Sequence, residues 1–321
     1  MSAGVAKLDV AVTEVTPVND LVTRFSFART DGGEMPTFSG GAHTVVEMND
    51  KGRMRLNPYS LMSDPADRSH YSISVRRDDQ GRGGSLFMHR EVRPGMKMVL
   101  SHPVNLFALD LRAKKHLLVA GGIGITPFLA QIKQLAALNG NFELHYSVRT
   151  ESLGSYAGEL RATHPARVHI YHDDRKEMIP LARLLDGQPL GTHLYVCGPK
   201  GMIAWVRTTA EAAGWPREAV HHEEFLAPPS GKEFTVELAR SKKTVRVGEH
   251  QSLLEAIEAA GVDAPYLCRG GACGQCETDV LACDGHVLHN DHWLTPDQRA
   301  SGAKIMPCVS RFEGKTLVLD R

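Results

Sequence analysis

The pattern of hydrophobic and polar positions changes twice along the chain. Up to about residue 111, short runs alternate apolar and polar residues and are separated by Gly, Pro and Asp turns. Such alternation is typical of antiparallel strands that bury one face. It predicts a small antiparallel barrel or sandwich with strands near Lys7–Val15, Val22–Phe27, Thr44–Glu47, Tyr71–Val75 and Lys97–Leu100.

From His116 onward, continuous apolar runs alternate with helical patterns. Strands are predicted at HLLVA, NFELHYSV, VHIYH and HLYVC, and helices up to Leu138, near Tyr156–Thr163 and over Lys200–Ala213. Alternation of this kind builds a parallel sheet with crossover helices. The central unit is therefore predicted to be an α/β domain.

A third pattern follows the segment LAPPSGK, whose two prolines and Ser-Gly suit an exposed linker. Two strand-like runs, FTVELAR and KTVRVG, precede a helical run, a cysteine-rich loop and a closing strand, TLVLD. We therefore predict three domains and a linker: residues 1–112, 113–226, 227–233 (linker) and 234–321.

Charge and apolar content narrow the class of protein. The chain has 37 basic and 37 acidic residues, so no polybasic surface suggests nucleic acid or anionic lipid as a partner. The longest apolar run, Leu117 to Ala130, is short and contains Pro127, and the N-terminus carries no continuous apolar segment. We expect a cytoplasmic protein that does not bind membranes.

Five of the six cysteines lie after residue 267. They include a C-x4-C-x2-C run and a later cysteine, a spacing associated with plant-type [2Fe–2S] clusters. Glycines within the run let backbone N–H groups turn toward the sulfurs. A four-cysteine zinc site is the alternative, although such sites more often pair two C-x2-C motifs. The predicted ligands are Cys268, Cys273, Cys276 and Cys308, and Cys283 is expected to be a free thiol.

A glycine turn, GGIGITP, joins the first strand of the central unit to its helix. Glycines permit close approach to a pyrophosphate, and a helix N-terminus offers N–H donors. Glycines at such turns also occur for steric reasons alone. A second turn, CGP, ends a later strand, and ligands of open parallel sheets bind at this strand end. The predicted nucleotide contacts are Gly121, Gly122, Gly124, Gly198 and Pro199.

Two segments of the first unit suggest a phosphate site. Pro58-Tyr59-Ser60-Leu61 is expected to precede an extended strand, and GRGGS at 81–85 is expected to open a helix. Successive amides in a glycine-rich turn form an anion-binding nest, to which an arginine and a serine add a charge and a hydroxyl. A hairpin turn and a buried tyrosine remain the alternatives for these segments.

In this order, the motifs resemble the ferredoxin reductase superfamily. The three-part arrangement is similar to the phthalate dioxygenase reductase family over essentially the whole chain. That resemblance implies a multidomain fold: an antiparallel flavin-binding β-barrel, an α/β parallel-sheet nucleotide domain and a C-terminal α+β plant-type ferredoxin (β-grasp) domain. It also implies the cofactors FMN, NADH and a [2Fe–2S] cluster.

The resemblance assigns roles to matching residues. Tyr59 and Ser60 would contact the flavin ring, Thr126 and Cys197 would line the nicotinamide pocket, and Phe225 would act as a movable cover over the flavin. The phosphate loop would contribute Arg82, Gly83, Gly84 and Ser85.

One position departs from the family pattern. The flavin motif R-x-Y-S reads Asn57-Pro58-Tyr59-Ser60 here, so the usual phosphate-pairing arginine is missing. Arg55 lies two residues earlier, which in a strand is the same face displaced by roughly 6.6 Å. We expect Arg55 to substitute through its long side chain.

The electron donor and the electron acceptor are predicted on different grounds, the donor from charged residues and the acceptor from the family resemblance. Arg149 could serve a 2′-phosphate, but Glu151 and Asp173-Asp174 favour NADH over NADPH. The resemblance implies that electrons pass to a Rieske-type aromatic-ring oxygenase. We expect the reductase to be a monomer. A cytochrome P450 or a diiron monooxygenase is the alternative acceptor, because fold alone does not decide function. A non-enzymatic redox sensor is the alternative outside enzymes.

Overall fold

The computed structural model describes residues 6–321, so the first five residues of the predicted first domain lie outside the described part. The first unit is a seven-stranded antiparallel sheet in the order β4-β3-β6-β1-β2-β5, with β7 paired to β3. Its strands are β1 (Lys7–Pro17), β2 (Val22–Arg29), β3 (Ala42–Asp50), β4 (Arg53–Ser60), β5 (Tyr71–Arg76), β6 (Lys97–Ser101) and β7 (Val104–Asn105). Helix α1 (Gly84–Glu91) lies between β5 and β6.

The alternation of apolar and polar residues explains why these strands form a sheet with one buried face. Leu8, Val10 and Val12 of β1 are buried at every second position and pack with Phe25 and Phe27 of β2. All five strand runs predicted for this unit are present.

One local prediction for the first unit was wrong. Pro58 lies within β4, rather than before a strand. β4 is the edge strand of its sheet, and a proline, which cannot donate to the ladder, is tolerated at an edge.

The central unit is a five-stranded parallel sheet in the order β10-β9-β8-β11-β12. Its strands are β8 (Lys115–Gly121), β9 (Phe142–Val148), β10 (Val168–His172), β11 (Thr192–Cys197) and β12 (Val220–Glu223). Its helices are α2 (Thr126–Ala137), α3 (Ala157–Thr163), α4 (Leu181–Asp186) and α5 (Lys200–Ala212). Leu118 packs with Phe128 of α2 on one face, and Val119 with Ile203 of α5 on the other. Both faces of β8 are therefore buried, as its continuous apolar run predicts.

The third unit is a mixed sheet with a helix across it. The main sheet has the order β14-β13-β19-β15-β17, and β16 pairs with β18. The strands are β13 (Phe234–Leu238), β14 (Lys243–Val247), β15 (Thr278–Cys283), β16 (His286–Leu288), β17 (Lys304–Ile305), β18 (Arg311–Glu313) and β19 (Leu317–Leu319). The helices are α6 (Leu253–Ala259) and α7 (Pro296–Ser301). The closing strand pairs in parallel with β13, which brings the two ends of the unit together.

Several short elements were not predicted from the sequence. They are β7, α4, β12, α7 and the strands β15 to β18, each of six residues or fewer. β12 matters most for the site, because it extends the parallel sheet beside β11 and ends two residues before Phe225. Among the described residues, no helix is long and apolar enough to cross a membrane.

Candidate functional site

A cavity of about 520 Å³ lies where the three units meet. The barrel contributes Asn57, Tyr59 and the loop that precedes α1. The end of β12 and the segment after it contribute residues 222–228, and the third unit contributes α6 and the cysteine loop. Residues that are far apart in sequence therefore share one enclosed space.

The barrel side of this cavity is built around the start of α1. Gly83 adopts φ +97° and precedes the helix, and no side chain caps the first N–H groups. The first turn contains no acidic residue. A Cβ at Gly84 would overlap the Asn57 side-chain amide, so a larger residue there would displace Asn57. The exposed amides and the helix dipole form a site suited to a phosphate.

The geometry explains the departure at Asn57. Its amide lies directly against Gly84 and donates to the Tyr59 hydroxyl at 3.2 Å. The Arg55 guanidinium contacts the same loop, because it donates to the Arg82 carbonyl. Arg55 also pairs with Asp50 at 3.1 Å. Arg55 thus supports the backbone of the loop.

Four buried polar atoms at the cavity have no hydrogen-bond partner among the described residues: His43 Nε2, Ser60 Oγ, Glu223 Oε2 and Arg269 Nε. Burial lowers the pKa of His43 to about 4 and raises the pKa of Glu223 to about 8. Burial also raises the pKa of Tyr59 to about 12. Buried polar groups in native proteins are nearly always paired, so these atoms indicate a polar ligand.

Sequence reasoning identified Ser60 but missed His43 and Glu223. His43 lies on β3, and Glu223 is the last residue of β12. Nothing in the local sequence of either residue signals a ligand. The unpaired atoms, the open helix start and the cavity of about 520 Å³ together fit a flavin mononucleotide.

The two predicted nucleotide turns lie against each other. Gly124 has no room for a Cβ because the Cys197 carbonyl occupies that space, and a Cβ at Gly198 would lie 3.1 Å from Gly121. Both turns end neighbouring parallel strands, β8 and β11. The glycines are therefore required by the contact between the turns, in addition to any ligand.

Thr126 and Cys197 lie beside this contact. The Thr126 hydroxyl donates to the Ile123 carbonyl at 3.0 Å. Cys197 is fully buried, its pKa is raised well above the usual value by burial, and it pairs in register with Glu223. Neither lines the large cavity, whereas Phe225, 48% exposed, does.

The strand ends that are expected to contact the nucleotide ribose carry both basic and acidic side chains. Arg149 is exposed directly after β9. Ser147 donates to Asp173 at 2.9 Å, and Arg175 pairs with Glu151 at 2.5 Å. Arg175 is a basic residue at this edge that the sequence analysis did not consider.

The cysteine loop is tightly constrained. Gly271 and Gly274 have φ +72° and +74°, and a Cβ at Gly271 would lie 2.8 Å from Val309. A Cβ at Gly274 would overlap the Trp293 indole, whose Nε1 donates to Glu277 at 2.8 Å. Glycine at these two positions is required by the path of the loop.

The four predicted ligands converge at this loop. Cys268, Cys276 and Cys308 are buried, and Cys273 is half-buried. A hydrogen bond from Cys273, followed by those from backbone N–H groups, lowers the pKa of Cys268 to about 5. A hydrogen bond from Cys308 likewise lowers the pKa of Cys276. The same two hydrogen bonds raise the pKa of Cys273 and Cys308, because one sulfur of each pair keeps the proton. Four clustered sulfurs suit iron or zinc, whereas the fifth cysteine of this region, Cys283, is exposed on β15.

A further cluster lies on the central sheet, outside the cavity lining. Glu143 Oε1 is 3.0 Å from His145 Nε2 and 3.5 Å from His169 Nε2. Its other oxygen accepts from Lys115 at 2.6 Å, and His145 Nδ1 is 2.9 Å from the Tyr171 hydroxyl. These groups satisfy one another across three strands and act as a structural network.

The fold and the cavity define an oxidoreductase with a flavin site, a nucleotide site and a [2Fe–2S] site in one chain. Two family models match: the N-terminal domain of dimethylamine monooxygenase subunit DmmA-like proteins, over residues 97–220, and the 2Fe-2S iron-sulfur cluster binding domain, over residues 236–313. The second match supports iron over zinc at the cysteine loop.

Whole-chain comparisons identify the family. The solved structure of phthalate dioxygenase reductase aligns with a TM-score of 0.89 and 33% identity, and covers 98% of both chains. The carnitine monooxygenase reductase subunit of Acinetobacter baumannii is 44% identical, with 96% of each chain covered. The heme-dependent oxidative N-demethylase beta subunit of Ectopseudomonas mendocina is also 44% identical, with 98% of each covered. The chain belongs to the phthalate dioxygenase reductase family, whose cofactors are FMN, NADH and the [2Fe–2S] cluster.

Proposed function

We propose that this chain is the NADH-dependent reductase component of a Rieske-type aromatic-ring oxygenase system. The observation that supports this most is the shared cavity. Its wall includes the flavin-barrel loop, Phe225 and two of the predicted cluster ligands, Cys268 and Cys308. A redox-active group in this cavity would share its walls with the segment that faces the nucleotide and with the loop that holds the cluster.

Bound FMN would supply the exchange between two-electron hydride chemistry and one-electron transfer to the cluster. The residues of the chain supply placement. The amides of Gly84 and Ser85, together with Arg82, would hold the phosphate, and Arg55 would support that loop. Tyr59 and Ser60 would face the ring.

Glu223 would contribute a hydrogen-bond donor. Its pKa of about 8 keeps the carboxyl protonated at neutral pH, so it can donate a hydrogen bond from Oε2 into the cavity. His43, whose pKa burial lowers to about 4, is neutral at the same pH. Both groups can therefore bond to a polar ring edge without burying a net charge.

The nucleotide would bind across the two glycine turns, with Thr126 and Cys197 beside the nicotinamide. Phe225 would have to move aside before the nicotinamide could reach the flavin. The exposure of Phe225 and its position after β12 allow such a movement. Residues 227–233 would then be the linker to the [2Fe–2S] domain.

NADH is the proposed donor. Glu151 already neutralises Arg175, which leaves less positive charge for a 2′-phosphate than the two arginines, Arg149 and Arg175, would offer alone. The ratio of kcat/KM for NADH to that for NADPH tests this proposal, and a preference for NADPH would contradict it.

The acceptor is the finer part of the proposal. The similarity to phthalate dioxygenase reductase favours a Rieske oxygenase. The N-demethylase subunit, which is 44% identical and is described as heme-dependent, favours a haem-containing acceptor as the second candidate. The reductase should be mixed anaerobically with NADH and each acceptor class in turn. Reduction of a Rieske centre at a higher second-order rate than a haem acceptor supports the proposal, and the reverse order supports the second candidate.

A further inference from the structure

Arg82 connects the flavin barrel to the third unit. It lies in the GRGGS loop, and its guanidinium pairs with Glu255 of α6. Its Nε donates to the His250 carbonyl at 2.9 Å. The two side chains are only 15% and 8% exposed, so this ion pair is largely removed from solvent. An ion pair at a buried interface fixes register, and the loss of one partner leaves the other charge unpaired.

Other hydrogen bonds hold the residues that Arg82 contacts in place. Arg311, which is almost fully buried, donates to the carbonyls of Gly248 at 3.2 Å and Gln251 at 2.8 Å, on either side of His250. Glu255 is the third residue of α6 and accepts from the Ser252 N–H at 2.9 Å in a capping box. Arg82 therefore binds a preformed surface.

The same surface leads to the cluster. The N–H of Leu254, next to Glu255, donates to the Pro307 carbonyl at 2.9 Å, and Pro307 precedes Cys308. A shift of α6 relative to the barrel would move the Cys308 segment with it. A second polar contact holds the third unit to the central unit rather than to the barrel, because His292 pairs at 2.9 Å with Glu224, the residue after β12.

We propose that Arg82 is a positioning residue: its pair with Glu255 docks the [2Fe–2S] domain on the flavin barrel and sets the position of the cluster relative to the flavin cavity. This inference rests on the proposed function for its redox readout. It adds a role to Arg82 beyond the phosphate contact, since the guanidinium faces Glu255 and His250.

The decisive variant is Glu255→Gln. Glutamine serves at the third position of a capping box as well as glutamate does, so α6 keeps its start while the ion pair is lost. Glu233→Gln is the matched control, because Glu233, the last residue of the linker, pairs with Arg246 of the third unit and not with the barrel, and both side chains are substantially exposed.

Two quantities should change in holo Glu255→Gln. Amide hydrogen exchange in peptides covering 81–84 and 249–255 should accelerate about thirtyfold, which is the lower end of the range expected for the loss of a buried interfacial charge pair. Electron transfer from flavin to cluster, measured by stopped flow after NADH is added, should slow about tenfold or more. FMN content, iron content and the rate of flavin reduction should match the parent, and Glu233→Gln should match it in every respect.

Unchanged exchange and unchanged flavin-to-cluster transfer in Glu255→Gln would overturn the inference. If Arg82→Gln then lost FMN, Arg82 would serve the phosphate alone and the proposed function would stand. Failure of NADH to reduce the flavin of the parent protein would instead contradict the proposed function. In that case faster exchange in Glu255→Gln would still support the docking role of Arg82.

Discussion

The cysteine loop and the flavin cavity are two redox sites built in opposite ways. Three of the four proposed cluster ligands lie within nine residues, and glycines at 271 and 274 fix the path between them. The cavity instead draws on β3, β4, α1, the end of β12 and α6. The loop is therefore sensitive to local substitutions, whereas the cavity depends on how the units dock.

The largest expected effect is loss of the cluster. Cys276→Ser replaces a buried sulfur, and iron should fall from about two per chain to near zero. Cys283→Ser is the control and should keep its iron, because Cys283 is exposed on β15. Iron analysis and visible absorption of protein purified anaerobically measure both. Iron loss in the control would mean that the ligand set is wrong.

Gly274→Ala tests whether the loop is as locally constrained as the comparison requires. The new Cβ would meet the Trp293 indole, and alanine is strained at φ +74°. Stability of the [2Fe–2S] domain should fall by about 1–3 kcal/mol, measured by thermal loss of cluster absorption.

Gly270→Ala is the matched control for Gly274→Ala. The nearest atom to its Cβ is the Cys268 carbonyl oxygen at 3.6 Å, so little should change. Adding Trp293→Ala to Gly274→Ala should restore part of the loss. Equal stability of the two glycine variants would show that the loop is not sterically fixed.

Glu223→Gln tests the cavity through pH. The folded-state pKa of Glu223, about 8, lies above its ordinary value of 4.5, so its stabilising effect is complete below pH 4.5 and is lost as pH rises through 8. FMN-depleted parent protein should lose roughly 2 kcal/mol more between pH 6 and pH 8 than Glu223→Gln does. Urea unfolding at the two pH values measures the difference. The same pH dependence of stability in the parent and in Glu223→Gln would mean that the Glu223 carboxyl is solvated.

Phe225→Ala should produce the smallest change in free energy. A stacked ring contributes on the order of 1 kcal/mol, so NADH should bind up to about fivefold more tightly once the cover is removed. Hydride transfer should nevertheless slow, because the nicotinamide is placed less accurately. Stopped-flow flavin reduction over a range of NADH concentrations separates the two effects. Parent-like binding and transfer with lower stability would make Phe225 a packing residue.

The same contrast explains what the sequence could predict. The cysteine spacing and the glycine turns are local signals, and they indicated the loop at Cys268–Cys276 and the position of the β8 and β11 turns at the same edge of the sheet. His43 and Glu223 carry no such signal, because their polar atoms become unpaired only when distant strands enclose the cavity. The partner of Arg82 was likewise invisible, since Glu255 lies 173 residues away in the chain.

Asn57 shows how a motif departure is interpreted correctly only in three dimensions. The sequence indicated a missing arginine and pointed to Arg55 as its substitute. In the folded chain Asn57 fills the space beside Gly84, and Arg55 supports the loop through the Arg82 carbonyl. The long side chain reaches the loop as expected, but its contact is with the backbone.

The central claim is that NADH, flavin and cluster are connected within one chain through one cavity. Anaerobic stopped flow of the holoprotein with NADH tests it directly. Flavin absorption should fall first, and cluster reduction should follow at a first-order rate that is the same at all protein concentrations. A cluster rate that rises in proportion to protein concentration, or a cluster that stays oxidised while the flavin is reduced, would contradict the claim.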